Sequence, residues 1–275
     1  MNLLHNNLKK STFGHSFLVM LRFMHRDFLV CIRRFRDQII NLLFLYPICL
    51  ATSGVVVSSI FFDSDQEIVF AATNMFAVAP MLPLLVLTYH LMFEIFYDLE
   101  GNRFINYQQI VLSPSLILLE KIIVGTLTSF CIIAPLYPVS YLFIFHRYVS
   151  LAQAHWAFAY LVLFAASFCL CAYNLCAAVI LRRDTLNIFW NRINHCLLMS
   201  GGFIVPSSLL IEWWKPMKFI LLCNPLHFFS ESCRSSIVGG SDFFPYRQGI
   251  VILFALGSIF SIFAVYAFKK RVDHI

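Results

Sequence analysis

Six stretches of this chain are apolar over lengths that fit a membrane-crossing helix, and this limits the possible folds more than any other feature. The hydrocarbon core of a bilayer, about 30 Å thick, is crossed by roughly 20 residues at 1.5 Å per residue. The six stretches are residues 39–61, 69–91, 117–145, 156–181, 193–210 and 248–268. Hydrophobic residues make up 60% of the 275 and charged residues 12%, with a mean hydropathy of +0.79. Soluble domains have roughly 45–50% and 25% respectively. The predicted fold is therefore all-α: a polytopic membrane protein with six transmembrane helices. The third stretch is too long for a simple span, but Pro135 and Pro138 in "APLYPVS" can kink it and leave part at the interface. The fifth is short. Its "MSGGFIVPSS" sets Gly201, Gly202 and Pro206 inside the apolar run, which predicts a helix that breaks before it has crossed.

The positive charges give the orientation, because Lys and Arg gather in cytoplasmic loops. With the N-terminus inside, fifteen of the 20 Lys and Arg lie on the inner side, and only Arg147, Lys215, Lys218, Arg234 and Arg247 lie outside. Both termini are predicted inside. The formal charge of +6 reads as a topology signal rather than a nucleic-acid footprint, since the cations sit beside apolar runs. Residues 1–38 are basic and have no small-residue cleavage site after a short apolar core, so no removable signal peptide is expected. The nine cysteines lack metal-finger spacing and fall mostly within apolar runs. A disulfide framework is not expected, and Cys223 with Cys233 is the one pair to test.

Three polar segments interrupt the apolar pattern. In residues 15–38, Phe17, Leu21, Met24, Phe28 and Phe35 recur at helical spacing, while Arg22, Arg26, Arg33, Arg34 and Arg36 supply charge. This predicts an amphipathic helix in the membrane plane, its apolar face in lipid. It serves either as an anchor that obeys the inside bias or as a contact for a cytosolic partner. The inner segment 93–115, "FEIFYDLEGNRFINYQQIVLSPS", places Glu94, Asp98, Glu100, Gly101 and Arg103 among aromatic and aliphatic residues. It is too polar to span and too apolar for a free loop, so it suits a protein surface. On the outer side, Trp213 and Trp214 beside Lys215 and Pro216 suit the headgroup level. There "NPLHFFSESCRSSIVGG" puts Asn224 at a helix cap and Pro225 at a first helical position, predicting a half-inserted helical hairpin over 206–240. Arg234 would lie near the outer surface, within reach of headgroups, helix C-termini or Glu231. Its alternatives are a structural role in the hairpin and direct substrate contact.

The absences exclude function classes. No G-x-x-x-x-G-K-[ST] run is present, so this chain does not cradle nucleotide phosphates itself. No H-E-x-x-H or G-x-S-x-G appears, and the histidines at 90, 146, 155, 195 and 227 are scattered. A secondary transporter needs ionisable groups near the bilayer midplane, and spans one, two and four have none away from their ends. Glu120 and Lys121 fit the inner interface. An ion-coupled transporter and, less well supported, an integral-membrane enzyme stand as the alternatives to an ATP-driven transporter.

Taken together, the basic helix before the first span, the "EGNR…LSPSLILLEKIIVG" inner segment and the "NPLHFFSESCR" stretch before the last span resemble the permease subunits of type-2 ABC exporters. The resemblance covers residues 15–270 and is nearest to permeases for lipo-oligosaccharides and polysaccharides, with drug exporters next. The inner loop departs from the commoner pattern, reading "DLEGNR" where many members carry consecutive charged residues and Gly-Thr. It implies a bacterial plasma (inner) membrane protein with a tail (1–14), an interfacial connecting helix (15–38), a six-span domain (39–270) and a short tail (271–275). It also implies a permease homodimer bound to two copies of a P-loop ATPase, which would carry the ATP and Mg, this chain binding no cofactor itself. Coupling to that ATPase would fall to Glu94, Asp98, Glu100, Gly101 and Arg103. The anchor would use Arg22, Arg26, Arg33 and Arg34, and the outer hairpin signature would be Asn224, Pro225, Leu226 and Arg234. The cargo it implies is amphiphilic: a glycan, glycolipid or drug.

Overall fold

The computed structural model describes residues 18–33, 65–100, 114–143, 154–181, 185, 188–203, 206–239 and 243–272. Among them the regular structure is entirely helical. Helix α1 covers 18–33. It is followed by α2 (Asp65–Val78), α3 (Met81–Glu100), α4 (Pro114–Ile133), α5 (Leu136–Phe143) and α6 (Trp156–Ile180). A π-helical turn, Trp190–Asn194, leads into α7 (His195–Ser200). The short helices α8 (Ser207–Trp213) and α9 (Met217–Leu222) then precede α10 (Pro225–Ile237) and the long α11 (Tyr246–Val272).

Four helical stretches among the described residues are long and apolar enough to cross a membrane: Ala72–Phe93, Ser115–Leu142, Trp156–Ile180 and Tyr246–Lys270. They coincide with the second, third, fourth and sixth predicted spans. The first predicted span, 39–61, lies outside the described residues. The fifth, 193–210, is not a continuous helix, because α7 stops at Ser200 and α8 starts at Ser207. The chain is thus an all-helical membrane protein with four candidate spans in its described part.

Two of the spans are bent by proline. The sequence predicts one helix over 69–91, but Pro80 has no N–H to donate and the helix turns at Ala79–Pro80, dividing α2 from α3. The expected kink at Pro135 is present, between α4 and α5. The two bends are joined: the Tyr137 hydroxyl, just past the second, donates to the carbonyl of Ala77, just before the first, at 3.0 Å. Tyr137 is fully buried and meets Phe76 edge-on, with ring centroids 5.7 Å apart.

Helix α6 is the centre of the bundle, packing against α3, α4, α10 and α11. In lipid, apolar burial gives little drive to helix association, so close packing has to supply it. The composition of α6 suits this. Its buried residues include Ala159, Ala165, Ala166, Ser167, Cys169, Cys171, Ala172, Cys176 and Ala178, which let neighbouring backbones come near. Two neighbours answer with glycine at the same level. A Cβ on Gly125 of α4 would stand 3.3 Å from Cys171 Sγ, and one on Gly257 of α11 would stand 2.6 Å from the Phe168 ring and 3.1 Å from the Cys169 Cα. The cysteines here serve as small packing residues. Helix α11 uses only one face in this way, and 17% of its span window is buried inside the protein against about 70% for the other three.

Because the obstruction at Gly257 includes backbone, Gly257→Val forces α11 off α6. We expect a loss of about 1–3 kcal/mol, the cost of overpacking, read as a lowered midpoint of thermal unfolding in detergent. Ser258→Ala, one residue along on the exposed face, should leave the midpoint unchanged.

Candidate functional site: a buried polar helix over a helix break

Helix α10, PLHFFSESCRSSI, carries seven polar or charged residues among its thirteen, and all thirteen are buried. Asn224 starts it as an N-cap, its side-chain oxygen accepting from the Leu226 N–H at 2.9 Å, with Pro225 in the first turn. This agrees with the helix start predicted from the Asn-Pro pair. The other end of the same amide is committed elsewhere: Asn224 Nδ2 donates to the Leu197 carbonyl at 2.7 Å and to Ser200 Oγ at 3.1 Å. One side chain therefore begins α10 and holds the last turn of α7.

The rest of α10 continues along the break between α7 and α8. Gly202 turns the chain there with φ +77°, a left-handed conformation natural to glycine. A Cβ at Gly202 would lie 3.2 Å from Ser230 Oγ, a tight contact, and 3.5 Å from the Glu231 and Arg234 side chains, so α10 passes close to this turn. Ser230 Oγ donates to the Gly201 carbonyl at 2.6 Å, and Arg234 Nη2 donates to the Phe203 carbonyl at 3.2 Å. Glu231 Oε1 accepts the Ser207 N–H at 3.1 Å, at the start of α8. A broken helix exposes carbonyls and N–H groups that hydrocarbon cannot satisfy. Four side chains of one buried stretch satisfy them here.

Glu231 and Arg234 also pair with each other, Nη1 to Oε1 at 2.9 Å, and both side chains have zero exposure. This corrects the expectation that Arg234 reaches headgroups, since protein wholly encloses its side chain. It is interior, and of the partners considered, Glu231 and a main-chain carbonyl are the ones it meets. The proposed disulfide test is answered as well: Cys223 is free and exposed, while Cys233 is free and buried beside the Tyr137 hydroxyl at 3.4 Å.

Helix α1 is fastened to the bundle by chemistry that the sequence did not reveal. Asp27 forms an ion pair with Lys121 in α4, and Lys121 also lies 3.5 Å from Glu120. Met20 packs with Ile117, and Phe23 and Met24 close around them. Glu120 and Lys121 are buried against the protein. At 100° per residue, the protein-facing side of α1 carries Met20, Met24, Asp27 and Cys31, and the predicted lipid face splits. Leu18, Leu21 and Leu29 remain exposed, whereas Met24 and Phe28 are half-buried. Arg22, Arg26 and Arg33 occupy the exposed side, with Arg26 also bonded to Asp27 and lying over the Phe23 ring. Arg34 is outside the described residues.

The expected coupling segment, 93–115, does not begin as a separate loop. Helix α3 runs on through it as far as Glu100, carrying Glu94, Asp98 and Glu100 on its last two turns. Gly101 and Arg103 lie outside the described residues. Among the described residues, the four-residue hairpin signature forms a connected site, and Leu226 joins it as part of the core.

No family model matches the chain, and no curated protein matches it.

The pairing across the break makes a specific demand on mutants. Arg234→Met leaves a buried carboxylate without its cation, at a cost on the order of 3–5 kcal/mol, and should strongly lower the unfolding midpoint of the purified protein. The double variant Glu231→Gln, Arg234→Met removes both charges while keeping a side-chain acceptor for Ser207. It should be more stable than Arg234→Met alone. A double variant as unstable as that single one would mean that the charge pair is not what the site depends on.

Proposed function

We propose that this chain is the membrane-spanning permease subunit of an ATP-driven exporter of the type-2 ABC class, working as a homodimer with two copies of a separate P-loop ATPase in a bacterial plasma membrane. The observation that carries this reading is the polar helix α10, held wholly inside an apolar bundle and bonded along a break in the neighbouring helix. A simple membrane anchor has no use for such an element. Discontinuous helices with satisfied ends and interior ion pairs mark the places where membrane proteins move polar material. In this account α8, α9 and α10 form a re-entrant outer hairpin that closes the outer end of the pathway.

The same architecture suggests how force would reach that closure. An ATPase docked on the acidic end of α3 pushes a helix that is continuous from Glu100 back to Met81. Beyond it lies the Pro80 bend, then α2, which packs against α10. The Tyr137 hydroxyl ties that bend to α5 and touches Cys233 of α10. Movement at Glu100 would therefore be delivered through the proline bend to the helix that guards the break. Docking of α1 on α4 through Asp27 and Lys121 would give the ATPase a second firm surface.

A second reading, an ion-coupled secondary transporter, draws on the buried Glu231–Arg234 pair beside a discontinuous helix, an arrangement also used to bind coupling ions. One experiment separates the two. The tagged chain, purified in mild detergent from cells that make it, should bring down a P-loop ATPase in a one-to-one ratio. The triple reversal Glu94→Lys, Asp98→Lys, Glu100→Lys should reduce that yield at least tenfold, with the unfolding midpoint of the permease unchanged. Purification without any nucleotide-binding chain, together with dissipation of an imposed ion gradient by the reconstituted protein, would overturn the exporter and favour the alternative.

A further inference from the structure

Helix α9, MKFILL, turns its apolar side away from the protein. Of its six residues only Leu221 is buried. At 3.6 residues per turn Phe219 lies about 160° around the helix from Leu221, with Ile220 and Leu222 between them on either flank. All three are exposed, and Phe219, at 74%, is the most exposed large apolar residue among the described ones. Trp214, in the turn that leads from α8, is exposed as well, and Lys215, Pro216 and Lys218 stand open beside it. A surface helix in water shows the opposite pattern, apolar side in and polar side out.

This turn is bonded into the fold at both ends. The Trp214 N–H donates to the Leu210 carbonyl of α8 at 3.1 Å, and the Met217 N–H donates to the Trp214 carbonyl at 2.9 Å. At the far end the Asn224 N–H donates to the Leu221 carbonyl at 3.0 Å. Only Cys223 separates α9 from Asn224, the residue whose side chain caps α10 and holds the last turn of α7. Whatever holds α9 therefore also positions that cap.

Charge decides what covers the exposed side. A two-fold contact with a second copy would set the patch against its own image. Each copy brings Lys215 and Lys218 against a single nearby carboxylate, Glu212, so that contact gathers like charge and is disfavoured. Neither lysine has an ion-pair partner among the described residues. Two free cations beside a tryptophan and three outward apolar side chains suit a membrane surface, where apolar groups enter the acyl boundary and lysines reach phosphates on flexible stems. The protein is embedded in a membrane, so that surface is at hand. A zwitterionic headgroup carries its own cation, whereas an anionic one leaves its phosphate charge for the lysines. We propose that the α8–α9 turn is a binding site for anionic lipid, with Trp214, Phe219, Ile220 and Leu222 at the acyl boundary and Lys215 and Lys218 on the headgroup phosphates. The site goes beyond the exporter reading and does not depend on it.

The test places the photoreactive residue benzoylphenylalanine at position 219 of the full chain, in nanodiscs of phosphatidylglycerol and phosphatidylcholine in equal amounts and with the same acyl chains. Adducts formed on illumination are identified by mass spectrometry. The label should capture lipid, with phosphatidylglycerol favoured about fivefold, the attraction of one cation to an anionic surface. The same label in place of Ile262, an exposed residue of α11, should take the two lipids equally. The double variant Lys215→Gln, Lys218→Gln changes two exposed side chains. It should bring the ratio at position 219 down to that at 262 while lipid capture persists. Capture of a second copy of the chain in place of lipid, or the absence of any lipid adduct, would overturn the site. So would a ratio at 219 no higher than at 262 with both lysines present, or a high ratio that survives the loss of both.

Discussion

The hydrogen bonds from α10 to the main chain of the α7–α8 break are the interaction on which the rest of the structure depends. An unsatisfied backbone group in an apolar interior costs several kcal/mol, so a helix that stops at Ser200 inside the bundle survives only where protein takes over the bonding. Asn224, Ser230, Glu231 and Arg234 do this with side chains. The requirement then spreads outward. Polar side chains in α10 force α10 itself into the interior, where the apolar α2, α6 and α11 surround it. The small residues of α6 and the glycines facing them let that enclosure close.

The Glu231–Arg234 pair is better understood as a specifier than as a source of stability. Two buried charges at 2.9 Å attract strongly, but their desolvation offsets much of the gain. One oxygen of Glu231 and the Nε of Arg234 have no protein partner among the described residues, which weakens the balance further. What the pair gives is geometry: one helix turn holds both an acceptor for the start of α8 and a donor for the carbonyl at Phe203. Such a contact has few alternative registers. It is also one that a modest displacement of α10 would break at several points together, which is the behaviour a closure at the end of a pathway requires.

Much of the fold was legible in the sequence because the membrane imposes a long, uniform pattern. Apolar length alone located four spans within a few residues, and Gly201, Gly202 and Pro206 announced the break in the fifth stretch. Asn224 and Pro225 announced the start of α10 because capping is a local property. What stayed hidden depends on who sits opposite whom. Pro80 lies inside a predicted span, and its bend shows only in the structure, where Tyr137 meets Ala77. The role of Asp27 depends on Lys121, 94 residues later in the chain and across from it in the fold. Arg234 counts as an outer charge by the topology rule, and its enclosure shows only with its partner Glu231, three places earlier on the same helix and facing the same break. Asn174 is a single amide in a long apolar run, and that isolation is the one sequence signal of its bond across to Thr88.

The central claim, that α10 is sealed inside the bundle, is tested most directly through its own cysteine. Cys233 has no exposure, and burial pushes its thiol up to about 12, so it stays protonated and unreactive well above neutral pH. Cys223, ten residues earlier, is exposed. In variants that keep only one of these two cysteines and none of the others, a small maleimide applied to the resting protein should modify Cys223 readily and leave Cys233 unmodified from pH 7 to 9. Modification of Cys233 at a rate comparable with Cys223 would show that α10 is open to solvent, and would contradict the clamp and the closure built on it.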